Sequence, residues 1–176
     1  MSGDGSVVVR RLGPDDAPAL HALRLVALAD HPEAFLRHVD EERALGVEGQ
    51  RARLARNATS NGEATMFGAF VDGELVGTTG LIRDADRKRR HRAVVVAVYL
   101  RPEQRGRGLA GRLLDAALDG ARQLAGIELV YLSTSAGNET ALALYRSRGF
   151  EVWGVEPDYL RVDGRPHDEV HLALQL

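Results

Sequence analysis

Apolar positions follow two periods along this chain, and the switches between them mark out its elements. Val7–Arg11, Thr65–Val71 and Glu74–Ile82 read as strands. The last two are joined by Asp72-Gly73, a dipeptide that signals a tight hairpin between apolar runs. The longest apolar run, Ala93–Leu100, is rich in Val and stops at Arg101-Pro102; it reads as a strand buried on both faces. A polar turn, Arg101–Arg107, follows. Then Leu109, Leu113, Leu114, Ala117, Leu118, Ala121 and Leu124 recur at helical spacing. An earlier helix carries Leu20, Leu23, Leu25 and Leu28 on one side, opens after Gly13-Pro14-Asp15-Asp16 and ends at His31-Pro32. A second helical region, in two pieces, lies between Asp40 and Asn57, and its polar second piece, Gly49–Asn57, is expected to be exposed. Ile127–Ser133 reads as a strand. Asn138–Arg148 reads as a helix with Asn138 as N-cap and Gly149 just past its end. Phe150–Val155 and Asp168–Leu174 are the last strands, with a second Asp-Gly turn at Asp163-Gly164 between them. Met1–Ser6 is expected to be disordered. The order β-α-α-β-β-β-α-β-α-β-β predicts a single domain over residues 7–176, a mixed sheet with helices on both faces.

Composition narrows the chemistry. The absence of cysteine excludes disulfides, thiolate catalysis and cysteine-ligated metals. A formal net charge of −2 supplies no field to draw nucleic acid or an anionic membrane, so neither is expected as a partner. The N-terminus lacks the apolar core of a signal peptide, and no apolar run is long enough to cross a bilayer, so a cytoplasmic location is expected. Of 23 basic residues only Lys88 is a lysine, in the charged loop Asp84–Arg90. The six histidines show no metal-ligand spacing, and no metal site is expected.

The turn between the central strand and the helix carries the strongest chemical signal. Unpaired N–H groups at a helix start bear partial positive charge, and glycines beside them let a phosphate approach. Gly106-Arg107-Gly108-Leu109-Ala110-Gly111 matches G-x-G-x-x-G. The dinucleotide reading fails nonetheless: Arg101–Arg105 separate the glycines from the strand, and the end of the next strand, Val130–Thr134, lacks the acid that would hold a ribose. A Walker-type loop fails for want of a Lys-Ser/Thr pair.

Arg105-Gly106-Arg107-Gly108-Leu109-Ala110, preceded by Pro102-Glu103, resembles the R/Q-x-x-G-x-G/A signature of the GNAT superfamily of N-acetyltransferases. A second block, Asn138-x-x-Ala141-x-x-Leu144-Tyr145-x-x-x-Gly149-Phe150, is similar to the family's downstream motif. His31–Phe35 with Glu41 and Glu42 resembles a bacterial subgroup without a settled substrate. The resemblance implies an α+β fold in α/β/α layers, with a mixed, mostly antiparallel sheet of about seven strands that splays between the central strand and the next. It implies acetyl-CoA as co-substrate, its pyrophosphate on the backbone amides of Gly106, Arg107, Gly108, Leu109, Ala110 and Gly111, with side-chain charge from Arg105 and Arg107. Val98, Tyr99 and Leu100 would pair their backbone with the pantetheine arm. Asn138 would touch the same arm, or serve only as an N-cap. Tyr145 would protonate the departing thiolate, or be a core tyrosine. Tyr99 has two placements, the acceptor cleft or the helix layer.

The implied reaction is direct attack of an amine, on a small molecule or a peptide, upon the thioester. In the ribosomal-protein members of the family a glutamate five residues before the motif asparagine takes the amine proton; Ser133 stands there in this chain. Glu41, Glu42 and His91 are the remaining candidates for that base, which stays unassigned. Specificity is expected from the Asp30–Glu42 region, the Tyr159–His167 hairpin and the loop Asp84–Arg90. A non-catalytic acyl-CoA-binding module is the alternative, and the C-terminal strands offer an edge for a homodimer.

Overall fold

The structure, a computed structural model, describes residues 6–176. The expectation of a disordered N-terminus falls, for residues 1–5, outside the described residues. Ser6 is bonded to the hairpin tip: its N–H donates to Asp72 Oδ1 at 3.0 Å, and its carbonyl accepts from the Asp72 N–H at 3.0 Å.

The elements run β1 (Val7–Arg11), α1 (Ala17–Asp30), α2 (Val39–Ala58), β2 (Ala64–Val71), β3 (Glu74–Arg83), β4 (Arg92–Leu100), α3 (Leu109–Gln123), β5 (Leu129–Ser135), α4 (Glu139–Ser147), β6 (Glu151–Val162) and β7 (Arg165–Gln175). They form one seven-stranded sheet in the order β1-β2-β3-β4-β5-β7-β6. Among the described residues only the β4–β5 pair is parallel. Both Asp-Gly turns have left-handed φ at both residues, +49° and +85° at Asp72-Gly73 and +49° and +76° at Asp163-Gly164. That geometry matches the twist of the strands it joins.

Two cores lie on the two faces of this sheet. α3 and α4 pack Leu109, Leu113, Leu114, Ala117, Leu142 and Tyr145 onto Val95, Val130, Leu132, Val170 and Leu172. On the other face α1 and α2 pack Leu20, Leu23, Ala27 and Leu54 onto Phe70, Leu75 and Tyr99. The helical period of the α3 leucines is thus the footprint of one face on the sheet.

Two expectations are corrected. Gly49–Asn57 is not simply exposed, because Gln50 and Leu54 are buried. α2 breaks at Gly46, where φ is +65°, and the break turns this i, i+4 pair toward α1. The strand expected from Phe150 to Val155 continues past two register shifts to Val162.

Candidate functional site

β4 and β5 stay together only briefly. Arg92, Ala93 and Val94 pair with Leu129, Val130 and Tyr131, and no pairing follows. From Leu132 to Ser135, β5 keeps its other neighbour, β7. β4 keeps β3, but through a bulge: Thr78 pairs with Tyr99 and Gly80 with Val96, so Thr79 alone faces Ala97 and Val98. Ala97 sits at φ +52°, and the Thr78 hydroxyl donates to its carbonyl at 3.0 Å. A non-glycine residue in that region costs about 1–2 kcal/mol. Such outliers persist where their surroundings hold them, often at sites. The bulge bends β4 and shifts its side-chain alternation. Val95 and Leu100 therefore join the α3 core while Tyr99 joins the α1–α2 core.

The gap is a cleft of about 740 Å³ lined by Val95–Leu100 of β4, Ser133–Ser135 of β5, Arg105, Gly106 and Gly108–Gly111 of the turn and α3, and Asn138, Ala141, Leu144 and Tyr145 at α4. The central strand is consequently not buried on both faces, since Val96, Ala97 and Val98 are only half-buried where they meet the cleft. Of the co-substrate-binding residues and the acid Tyr145 named from the sequence, only Arg107 is not among the lining; its Nη1 donates to Gln104 Oε1 at 2.5 Å.

At one end of the cleft stands the start of α3. Gly106 and Gly108 have φ of +76° and +74°, and a Cβ on either would meet nothing within 4 Å. Glycine is needed there for the backbone, and the space beyond it is open. Gly108 is the N-cap and offers no side chain to the helix, so the first amides of α3 lack a capping acceptor. Such a terminus suits an anion. Gly111 serves a different contact as well: a Cβ there would lie 2.3 Å from Arg148 Nη2, whose guanidinium also pairs with Asp115 at 3.1 Å. Sequence patterning does not find Arg148, because its partner Asp115 belongs to another helix.

Tyr145 stands at the α4 side. It is buried, 6.1 Å edge-on from Phe150, and its hydroxyl is pushed up to about 12 by burial and by the charge of Glu169. Asn138 Oδ1 accepts from the Ala141 N–H at 3.1 Å, so it does cap α4, and the residue also lines the cleft. Tyr99 satisfies both of its placements, packed in the α1–α2 core and lining the cleft, with its buried hydroxyl lacking a protein partner.

The third wall is the segment after α1. His31, Glu33, Ala34 and Phe35 line the cleft. Ser135 Oγ donates to the Glu33 carbonyl at 2.8 Å and so ties this segment across the gap to β5. His31 Nδ1 is 3.5 Å from Glu33 Oε1, and its Nε2 is 3.3 Å from Arg105 Nη2. His167 brings β7 to the same cleft.

None of the three acid-base candidates read from the sequence reaches this place. Glu41 closes a capping box, accepting from the His38 N–H at 2.9 Å. Glu42 is fully buried against Gln50 and Arg24, the latter at 3.1 Å. His91 lies at the paired start of β4, where its carbonyl accepts from Glu128 and Leu129. The loop Asp84–Arg90 belongs to that same far end, bonded to Glu63 and Arg83, and does not line the cleft.

The profile of the acetyltransferase (GNAT) family matches residues 22–150. N-alpha-acetyltransferase RimI of Mycobacterium tuberculosis is 41% identical over 97 residues, which is 55% of this chain and 58% of that protein. L-methionine sulfoximine/L-methionine sulfone acetyltransferase of Pseudomonas aeruginosa is 35% identical over 80 residues, 46% of each chain. The chain thus spans less than two thirds of the length of these relatives. Among solved structures, a GNAT-family acetyltransferase from Streptococcus pneumoniae superposes with a TM-score of 0.87 at 22% identity, covering 97% of this chain and 100% of that one. YncA of Salmonella typhimurium, a putative acetyltransferase solved with its cofactor acetyl-CoA, superposes at 0.84 with 21% identity, covering 97% and 94%.

Proposed function

The chain belongs to the acetyltransferase (GNAT) family, and from that premise we propose that it transfers an acetyl group from acetyl-CoA to a primary amine of a small molecule or a peptide. One observation carries this reading. A single cleft runs from an uncapped helix start with open glycines to a buried tyrosine hydroxyl, along a strand edge that no neighbour occupies. Each part suits one part of the co-substrate. The amides from Gly106 to Gly111, with Arg105 beside them, take the pyrophosphate. Arg107, exposed beside the cleft, adds to the field there. The free edge of Val98, Tyr99 and Leu100 takes the pantetheine amides as an added strand would. Asn138, its oxygen spent on the cap, donates its NH₂ to the same arm. The thioester then reaches the bulge, where a backbone N–H of β4 polarises its carbonyl, and Tyr145 stands by the leaving sulfur.

Direct attack by the amine needs no covalent intermediate, and without cysteine an enzyme thioester relay is impossible. The acceptor enters between the His31–Phe35 segment and β7. Other members named for spermidine, mycothiol and methionine sulfoximine support an amine as acceptor. The uncovered edge of β6, with Val152, Trp153 and Val155 exposed, supports a homodimer formed there. No helix among the described residues is long and apolar enough to cross a membrane. The alternative of a non-catalytic binding module has nothing in the cleft that favours it.

The test is release of coenzyme A thiol from acetyl-CoA with a panel of amines: spermidine, L-methionine sulfoximine and an alanine-starting peptide. Amine-dependent release supports the reading. Measurable acetyl-CoA binding without release by any amine refutes it.

A further inference from the structure

Direct attack needs a free amine, whereas an alkyl ammonium holds its proton up to ~10.4. Some group near the thioester must take that proton, and this inference rests on the acetyl-transfer reading above. We propose that Glu169 is the proton acceptor, its carboxylate set by β7 beside Ser133 on the side of the sheet away from α3 and α4.

The placement follows from the ladders. Ser135 pairs with Glu169 and Ser133 with His171, and paired residues point to one face. Val130, Leu132, Val170 and Leu172 point to the other, into the core beneath α3 and α4. Glu169 therefore shares a face with Ser133 and Ser135, which line the cleft. Tyr145 comes to the same cleft from the opposite side, and the charge it feels is that of Glu169. Glu169 itself is not among the residues lining the cleft; its link to the cleft is the Ser133 hydroxyl, through which a proton passes to it.

Burial argues in the same direction. Glu169 is 8% exposed, and the groups that act on it are Ser133, His171 and Glu156, with no arginine or lysine among them. A carboxylate kept there is costly to ionise, and its pKa is raised by burial, against the Ser133 hydroxyl and His171, which lower it. Glu156 of β6 adds to the rise and itself lies 3.1 Å from His171 Nε2. Tyr159 of β6 and Tyr145 of α4 are the other titratable groups that feel Glu169. A base brought closer to neutrality is a better match for this task than an ordinary carboxylate. Glu41 is spent in its cap and Glu42 on Arg24, both away from the cleft, while Glu33, in the cleft wall, is paired with His31.

The ammonium gives one proton, through the Ser133 hydroxyl, to the Glu169 carboxylate, which returns it to solvent. The freed lone pair forms the C–N bond, and the C–S bond breaks as the tetrahedral intermediate collapses. The nitrogen then loses its second proton, which replaces the one Tyr145 gives to sulfur. The products are amide, coenzyme A thiol and one proton in solution.

The test compares wild type, Glu169→Gln and the control Glu156→Gln with acetyl-CoA and the same three amines, following thiol release between about pH 6 and about pH 10. Glu169→Gln is expected to lower kcat by ~10²–10⁴-fold and to leave the KM for acetyl-CoA within about twofold. Its residual rate should climb with pH as free amine appears. Thermal melting separates this from a structural role. A carboxyl whose pKa is raised in the folded state binds more protons there than in the unfolded chain, so its contribution is lost as pH rises from the ordinary carboxylate range through the raised value. At neutral pH Glu169→Gln should therefore melt no lower than wild type. Turnover within about threefold of wild type with an unchanged pH profile overturns the proposal, and so does a loss that comes with a lower melting temperature and a raised KM for acetyl-CoA. If the Gln variant does not fold, Glu169→Asp is read instead: kcat at least ~10-fold down at unchanged KM for acetyl-CoA supports the proposal, and full kcat overturns it. If wild type itself releases no thiol with any amine, the acetyl-transfer reading fails, and this inference fails with it.

Discussion

Replacing Tyr145 by Phe removes one hydroxyl and leaves the ring in place. The ring is 3% exposed and packs edge-on to Phe150, so the core keeps its volume. Among the described residues the hydroxyl has no hydrogen-bond partner, and its loss should change stability by no more than about 1 kcal/mol. The effect on rate follows from the raised pKa. A phenol at about 12 is a weaker acid than a thiol at ~8.5, so complete proton transfer to the leaving sulfur is uphill unless the phenol is reprotonated in the same event. In the proposed arrangement Tyr145 donates a charge-assisted hydrogen bond to the developing thiolate, worth about 1.5–3 kcal/mol. At 1.4 kcal/mol per tenfold, kcat should fall roughly 10- to 150-fold with the KM for acetyl-CoA little changed. Thiol release read with a thiol-reactive chromophore is a clean assay, because the chain has no cysteine of its own. If Tyr145→Phe keeps kcat within about twofold of wild type, the hydroxyl does not meet the leaving sulfur. A raised KM at unchanged kcat would assign it to binding alone.

Three further outcomes are expected. Gly108→Ala, at φ +74° with open space around its Cβ, should lose about 1–2 kcal/mol of stability to backbone strain and raise the KM for acetyl-CoA, which melting and steady-state kinetics report separately. Arg105→Ala should raise the KM for acetyl-CoA with kcat preserved, and the rise should shrink at high salt, because the lost interaction is one of charge. Glu42→Ala leaves Arg24 buried without its 3.1 Å partner and should cost about 3–5 kcal/mol in denaturant unfolding without touching the cleft.

Elements whose cause is local were legible in the sequence. Both Asp-Gly turns, the Asn138 cap and the leucine period of α3 depend on residues within a few positions of one another, and each lies where its pattern places it. The glycines of the turn were legible for the same reason. What escaped depends on contacts between distant segments. Nothing in the run Ala93–Leu100 marks Ala97 as the bulge, yet that one residue sends Tyr99 into the opposite core from Leu100. The polar stretch after Gly46 gives no sign that Gln50 and Leu54 turn inward, since α1 decides that. The acids near the motifs in sequence, Glu41 and Glu42, are spent on a cap and a buried ion cluster. Glu169 comes beside Ser133 only through the β5–β7 ladder.

The central claim is that the cleft holds acetyl-CoA from the start of α3 to Tyr145. A crystal structure with acetyl-CoA bound tests it most directly. The expected result is pyrophosphate oxygens on the amides of Gly106 to Gly111, the pantetheine arm along Val98 to Leu100, and the thioester sulfur within about 4 Å of Tyr145 Oη. Acetyl-CoA bound with its thioester away from Tyr145, or with its pyrophosphate off the α3 start, would contradict it.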